Sequence, residues 1–423
     1  MQSVLELRAD VDEHAFRAAW EQVVHSTAVL RTRIVQHGEL GLLQAVMVED
    51  IQWTETEGLE TYLEKDKSAS MGVGDLLARY AIVKEKRRGH EGGAAAAAGK
   101  RWFVWTVHHA LYDGWSLPRI MDAVEKAYDG ADMQKQPGFR TFIKHLSRQD
   151  PDEAAAYWQN ALADCEATPF PALPTTVQQP AADATVHYQC PPLPKTASDT
   201  TTSTLVRAAW AILASRYTSL DDVVFGAVVT GRNAAVAGIE AMLGPTIATV
   251  PVRVRIERDQ TVMAFLESVQ RQATEMIPHE QTGLQRIARM GADARHACGF
   301  QTLLVVQPAE DGLAGDSVLG AWRGNSELQG FTTYALMVQC TVAAEEVRIT
   351  ASFDERVIER WLVGKMLGQL NFVIQQLAAA QHEITMVSSI DTLTSEDKQQ
   401  LWAWNGEVPA AAERCIHDLV AEQ

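Results

Sequence analysis

Short runs of β-branched and aromatic residues alternate with longer segments of helical period along the whole chain. Residues 3–7, 77–83 and 100–107 (KRWFVWTV) read as strands. Residues 12–25 and 117–128 (LPRIMDAVEKAY) carry apolar side chains at helical spacing. Ser116 stands where a cap for the second of these helices is expected, and Pro118 falls in its first turn. Further on, 185–189, 223–229, 249–256, 302–307 and 347–353 read as strands. Residues 205–217 read as a helix, and a long helix is expected from Asp354 to about Gln381. Between these halves, residues 168–204 hold seven prolines and no helical period, which predicts a linker around the 185–189 strand. Residues 89–99, small and flanked by glycine, read as a floppy hairpin loop. No repeat of 20–50 residues is visible, so the pattern predicts a mixed α/β protein in two halves.

Composition narrows the function. A chain of 423 residues can bury more than one core. A net charge of −17 argues against a nucleic-acid partner, whose phosphates would repel it. No run of about 18 apolar residues occurs, and the amino terminus lacks the basic start and apolar core of a signal peptide. Neither a membrane partner nor export is expected. Five scattered cysteines (Cys165, Cys190, Cys298, Cys340, Cys415) suit reduced thiols in the cytoplasm. No Cys/His cluster at ligand spacing predicts a metal. Gly72–Gly74 (GVG) only loosely fits a dinucleotide fingerprint, because a polar segment rather than a strand precedes it.

The chemistry concentrates on residues 108–116 (HHALYDGWS), a loop between a predicted strand and a predicted helix. Such a loop lets a rigid scaffold present side chains to a substrate. Histidine as a residue type titrates near neutrality, so His108 and His109 are candidates to move a proton. Asp113 can hold local geometry through an ion pair, and Gly114 lets another chain approach the backbone.

These nine residues resemble the HHxxxDG signature of the condensation domains of nonribosomal peptide synthetases, a branch of the chloramphenicol-acetyltransferase-like superfamily. The resemblance extends to residues 25–34 (HSTAVLRTRI), to 139–158 with Tyr157-Trp158, and to 221–255 with its Gly231-Arg232 loop. It continues through 277–284 (IPHEQTGL) and 301–307 (QTLLVVQ), and the wording is closest to fungal members. Residues 414–420 (RCIHDLV) resemble the start of a linker into an adenylation domain. There are departures: the helix that usually precedes the first strand is missing, Ala248 stands where Asn is commoner, and the 92–99 insert (GGAAAAAG) is atypical.

The resemblance implies an α/β fold of two acetyltransferase-like lobes in a V-shaped pseudo-dimer, with the loop at their junction. It implies lobes at 1–165 and 205–405, a crossover at 166–204, and the beginning of a linker at 406–423. It also implies amide-bond formation between two carrier-bound thioesters. His109 then has the acceptor-facing role, His108 a structural one, and Asp113 points into an arginine, with Arg232 the first expected partner and Arg31 the second. Gly114 keeps a tunnel open. No intrinsic cofactor is implied, since substrates ride on the phosphopantetheine of upstream and downstream peptidyl carrier proteins beside an adenylation domain. Two alternatives stand: an epimerisation or terminal cyclising domain on the same scaffold, and a degenerate module that only recruits carrier proteins or a tailoring enzyme.

Overall fold

The computed structural model describes residues 1–85, 99–131, 137–192, 200–308, 316–323, 332–342, 347–380 and 384–406. The expected hairpin loop at 89–99, apart from Gly99, and the expected adenylation linker at 414–420 lie outside the described residues.

The first half supplies β1 (Gln2–Leu7), α1 (Glu13–Ser26), the hairpin β2 (Thr32–His37) and β3 (Gly41–Val46), then β4 (Trp53–Glu57) and α2 (Leu59–Ser68). It continues with β5 (Ala78–Lys84), β6 (Arg101–Val107), α3 (Ser116–Tyr128), α4 (Phe139–Leu146) and α5 (Pro151–Ala161). Next come β7 (Ala184–Cys190), α6 (Thr202–Thr218), β8 (Asp222–Val229), β9 (Ala248–Arg255) and α7 (Val262–Met276). The short helices α8 (Leu284–Ile287) and α9 (Ala292–Ala297) lead into β10 (Thr302–Pro308), β11 (Asp316–Ser317) and β12 (Gly320–Arg323). The chain ends its described part with β13 (Leu336–Val342), β14 (Val347–Phe353), α10 (Arg360–Ala379) and α11 (Ser395–Trp404).

Two six-stranded sheets organise these elements, in the orders β11-β12-β1-β6-β5-β4 and β7-β14-β13-β10-β8-β9. The first sheet is antiparallel except for β4 and β5, and its core is aromatic. Phe16 and Trp20 of α1 each lie 5.0 Å from the Phe103 ring, and Trp20 lies 5.2 Å from Trp105. Such tilted and edge-on pairs add about 0.5–1.5 kcal/mol each beyond the apolar area they bury. In the second sheet β10 runs parallel to both β8 and β13, so three strands deliver their carboxyl ends to one edge. Helix α6, buried from Thr204 to Ser215, fills the core of that sheet beside α7 and α10. A helix apolar on all sides is stable only when packed on all sides.

The chain passes between the two sheets more than once. Strand β12, from the second half, pairs antiparallel with β1 from Val4–Arg323 to Leu7–Gly320. A Cβ on Gly320 would sit 1.9 Å from the Glu6 carbonyl oxygen, so only glycine permits that approach. Ile239, Met242 and Leu243 join the first core, whereas Trp158 and Leu162 join the second.

One sequence expectation needs correcting here. The long helix begins at Arg360, not Asp354, because the buried Asp354 carboxylate accepts the backbone N–H groups of Ala181 and Arg356 and closes a separate turn. Its expected end at Gln381 lies outside the described residues.

Candidate active site

Strand β6 ends at Val107, and the next amide, of His108, donates to the Leu77 carbonyl at 2.8 Å. The backbone then makes a single 3₁₀ turn over His109–Leu111, anchored by the fully buried Leu111. The exposed His108 serves that turn: its Nδ1 accepts the Ala110 N–H at 3.1 Å. Desolvation is the first cause of its lowered pKa. His109 is half-buried, with Nδ1 2.9 Å from the Tyr112 carbonyl oxygen. A carbonyl can only accept, so in the neutral ring Nδ1 carries the proton and Nε2 the lone pair. The Tyr112 ring stacks on the imidazole at 4.6 Å and 10°, and burial pushes its phenol up to about 12. The imidazole is thus held by tautomer and by plane.

Asp113 is fully buried and faces an anion-binding nest rather than solvent. Its Oδ1 accepts the Ser116 N–H at 2.7 Å and its carbonyl accepts the Leu117 N–H at 3.1 Å, while Ser116 Oγ accepts the Asp113 N–H at 2.9 Å. Asp113 therefore caps α3, and Ser116, the expected cap, sits inside the first turn as its reciprocal partner. The carboxylate also accepts both Thr246 N–H at 3.0 Å and Arg232 Nη2 at 2.9 and 3.1 Å.

Arg232, only 6% exposed, binds Ile239, Met242 and Gly244 carbonyls as well, at 2.8, 2.9 and 3.2 Å. Its loop depends on Gly231, at φ +66°, where a Cβ would lie 2.0 Å from the Thr246 carbonyl oxygen. Arg31, the second expected partner, does not reach Asp113. Its guanidinium is engaged by the carbonyls of Val24, His25 and Met47, tying α1 to the β2–β3 hairpin.

Gly114 is exposed at the edge of a cavity of about 260 Å³ whose other wall is the carboxyl edge of β8, β10 and β13. Ligands of sheets with parallel strands commonly lodge outside that edge. Asp113, Gly114 and Arg232 reach the cavity wall; His108 and His109 are not among the described residues lining it. Trp115, at its mouth, donates from Nε1 to the Glu240 carbonyl at 2.8 Å and lies under the Arg119 guanidinium at 4.0 Å. Among the described residues no group of three or more His, Cys, Asp or Glu side chains could hold a metal, and no helix is long and apolar enough to cross a membrane.

Sequence reasoning missed Thr246, Gln307 and Glu280. All three lie in segments that carried the resemblance, but their roles depend on contacts across the fold. Glu280, in the 3₁₀ turn Ile277–Thr282, is 3% exposed behind the Gly231 loop, and its Oε1 has no hydrogen-bond partner. Burial pushes its carboxyl up to about 7, against the opposing pull of Arg207 and the Gly231 amide. The protonated form is then the better folded one. Its stabilising contribution is intact below the ordinary 4.5 and is lost as pH rises through about 7. Glu280→Gln should flatten the decline in melting temperature over that window and stabilise the protein above pH 7 by on the order of 1–3 kcal/mol. Thermal melts at pH 5 and pH 8 check this; parallel curves for parent and variant would show that Glu280 titrates normally.

A family model described as the Condensation domain matches residues 1–402. The chain belongs to the condensation-domain family. Its relatives are fungal synthetases. It is 58% identical over its full length to nonribosomal peptide synthetase TES of Alternaria alternata. It is 46% identical to nonribosomal peptide synthetase dtxS1 of Metarhizium robertsii, again over 100% of the chain. With peramine synthetase A of Epichloe festucae it shares 44%, also over 100% of the chain. It spans only 8%, 5% and 15% of those three proteins. Among solved structures, the starter condensation domain of rhizomide synthetase RzmA matches at TM-score 0.69 and 16% identity, over 93% of each chain. A structure described as "The crystal structure of CT" matches at 0.71 and 20%, over 92% of this chain and 88% of that one. These likenesses show the fold of the condensation domain: the two-lobed, chloramphenicol-acetyltransferase-like α/β arrangement expected from the sequence.

Proposed function

We propose that this condensation domain joins a donor acyl, aminoacyl or peptidyl thioester to the amine of an acceptor aminoacyl thioester. Each substrate is carried on the phosphopantetheine of a peptidyl carrier protein, one upstream and one downstream, with an adenylation domain adjoining. The pinned tautomer of His109 is the observation that supports this reading most directly. With Nδ1 held by Tyr112, Nε2 meets the acceptor amine, orients it and accepts its proton as nitrogen attacks the carbonyl carbon. The carbon–sulfur bond then breaks, and the departing thiolate takes up that proton. Asp113 and Arg232 hold the loop without touching substrate, and Gly114 leaves room for the arm. The four cysteines among the described residues are free, which fits a reducing cytoplasm.

All the driving force resides in the thioester, so neither ATP nor a metal is required. Aminoacyl-carrier donor and acceptor mixed with the domain in EDTA, without ATP, should yield a dipeptidyl thioester on the acceptor carrier, detectable by intact-protein mass spectrometry. Free amino acids should react far more slowly, lacking both the activated carbonyl and the tether. Activity lost on chelation, or equal rates with free amino acids, would overturn the proposal.

A further inference from the structure

The cavity beside Gly114 has apolar walls from Leu117, Pro118, Val228, Ile247, Val305 and Val306. Its polar side chains differ in how far they are already engaged. Arg232 and Asp113 bind each other, and Thr230 Oγ1 accepts the Arg232 N–H at 3.3 Å. Gln307 and Thr341 are different: neither side chain has a hydrogen-bond partner among the described residues. Both are half-buried, and they are direct neighbours, because parallel β10 and β13 pair Gln307 with Thr341 in register.

From this juxtaposition we infer that Gln307 and Thr341 form a paired hydrogen-bonding station that receives a secondary amide of the substrate. A secondary amide presents one N–H and one carbonyl. The Gln307 carboxamide can accept from the first and donate to the second, and the Thr341 hydroxyl can do either. Gly114 leaves the carboxamide open. A Cβ there would come to 3.8 Å from Gln307 Oε1, in van der Waals contact, so glycine keeps that face of the side chain within reach of an incoming chain. Apolar walls with two converging polar groups are how a pocket fixes the orientation of such a chain. This assignment rests on the proposed function in one respect: it takes the amide to be that of the pantetheine arm or of a peptidyl donor, two sources of the same chemistry.

Saturation-transfer NMR on the whole domain can test it with free pantetheine and, separately, with N-acetylglycine N-methylamide as a peptide probe. Pantetheine binding should weaken by roughly 3- to 10-fold in Gln307→Leu and in Thr341→Val, the equivalent of one lost neutral hydrogen bond. Preserved thermal melts would show that the fold is intact. An equal loss for the peptide probe assigns the station to the donor's own amide; a loss for pantetheine alone assigns it to the arm. Unchanged binding of both probes in both variants, or no binding to the parent, overturns the inference. Condensation is assayed in parallel with aminoacyl pantetheine and the same aminoacyl group on propanethiol. A parent that condenses while its variants bind normally loses this inference and keeps the function. A parent that binds pantetheine through Gln307 but forms no peptide bond keeps the inference and loses the function.

Discussion

His109→Ala is expected to lower dipeptide formation by roughly 10²–10⁴-fold, the range over which a positioned proton-transfer group contributes. The variant should melt close to the parent. Truncation removes the hydrogen bond to the Tyr112 carbonyl and the stacking on the Tyr112 ring, from a side chain that is only half-buried. Loaded carrier proteins and product quantified by mass spectrometry, alongside a thermal melt, check both halves. Unchanged turnover would remove His109 from the reaction, and a collapsed melt would mean that the ring is a structural plug. His108→Ala should do much less, since that exposed imidazole only caps a single turn.

Asp113→Ala carries the largest expected change in stability. Its carboxylate is the common acceptor for an arginine, a threonine amide and the first turn of α3. Removing it deprives Arg232, 6% exposed, of the Asp113 carboxylate and α3 of its cap. A broken buried ion pair costs about 3–5 kcal/mol, and a lost cap about 1 kcal/mol more. Denaturant unfolding should show the midpoint falling with the slope unchanged. Asp113→Asn, which keeps the cap geometry but not the charge, should fall between alanine and parent. An alanine variant as stable as the parent would mean that water replaces the carboxylate and that the loop is held from elsewhere.

Local pattern was legible where it coincided with local structure. The strand at 100–107 and the helix at 117–128 fall within a residue of β6 and α3, because aromatic density and amphipathic spacing decide those states without help from afar. The cap was misplaced for a physical reason. Ser116 and Asp113 are both cap-forming residues three positions apart, and which one takes the role is settled by Arg232 and Thr246, more than a hundred residues away. Arg31 failed as a partner for the same reason, since charge in a sequence does not reveal which carbonyls will surround it. The two-residue β11 and four-residue β12 carry too few positions for any period to show. Glu280 stood out only as one letter of the 277–284 segment, because a glutamate in a polar turn reads as solvated unless the fold buries it.

The pairing of β12 with β1 also bears on how such domains can be recombined. A hybrid joined anywhere between residues 165 and 205, taking its first half from one synthetase and its second from another, inherits from the second parent the strand that covers an edge of the first parent's sheet. At Gly320 that strand approaches within a distance no other residue tolerates, so the donor's turn and the recipient's edge must be matched as one unit. A grafting boundary that carries residues 316–323 along with the first half respects the architecture; a single cut in the connecting segment does not.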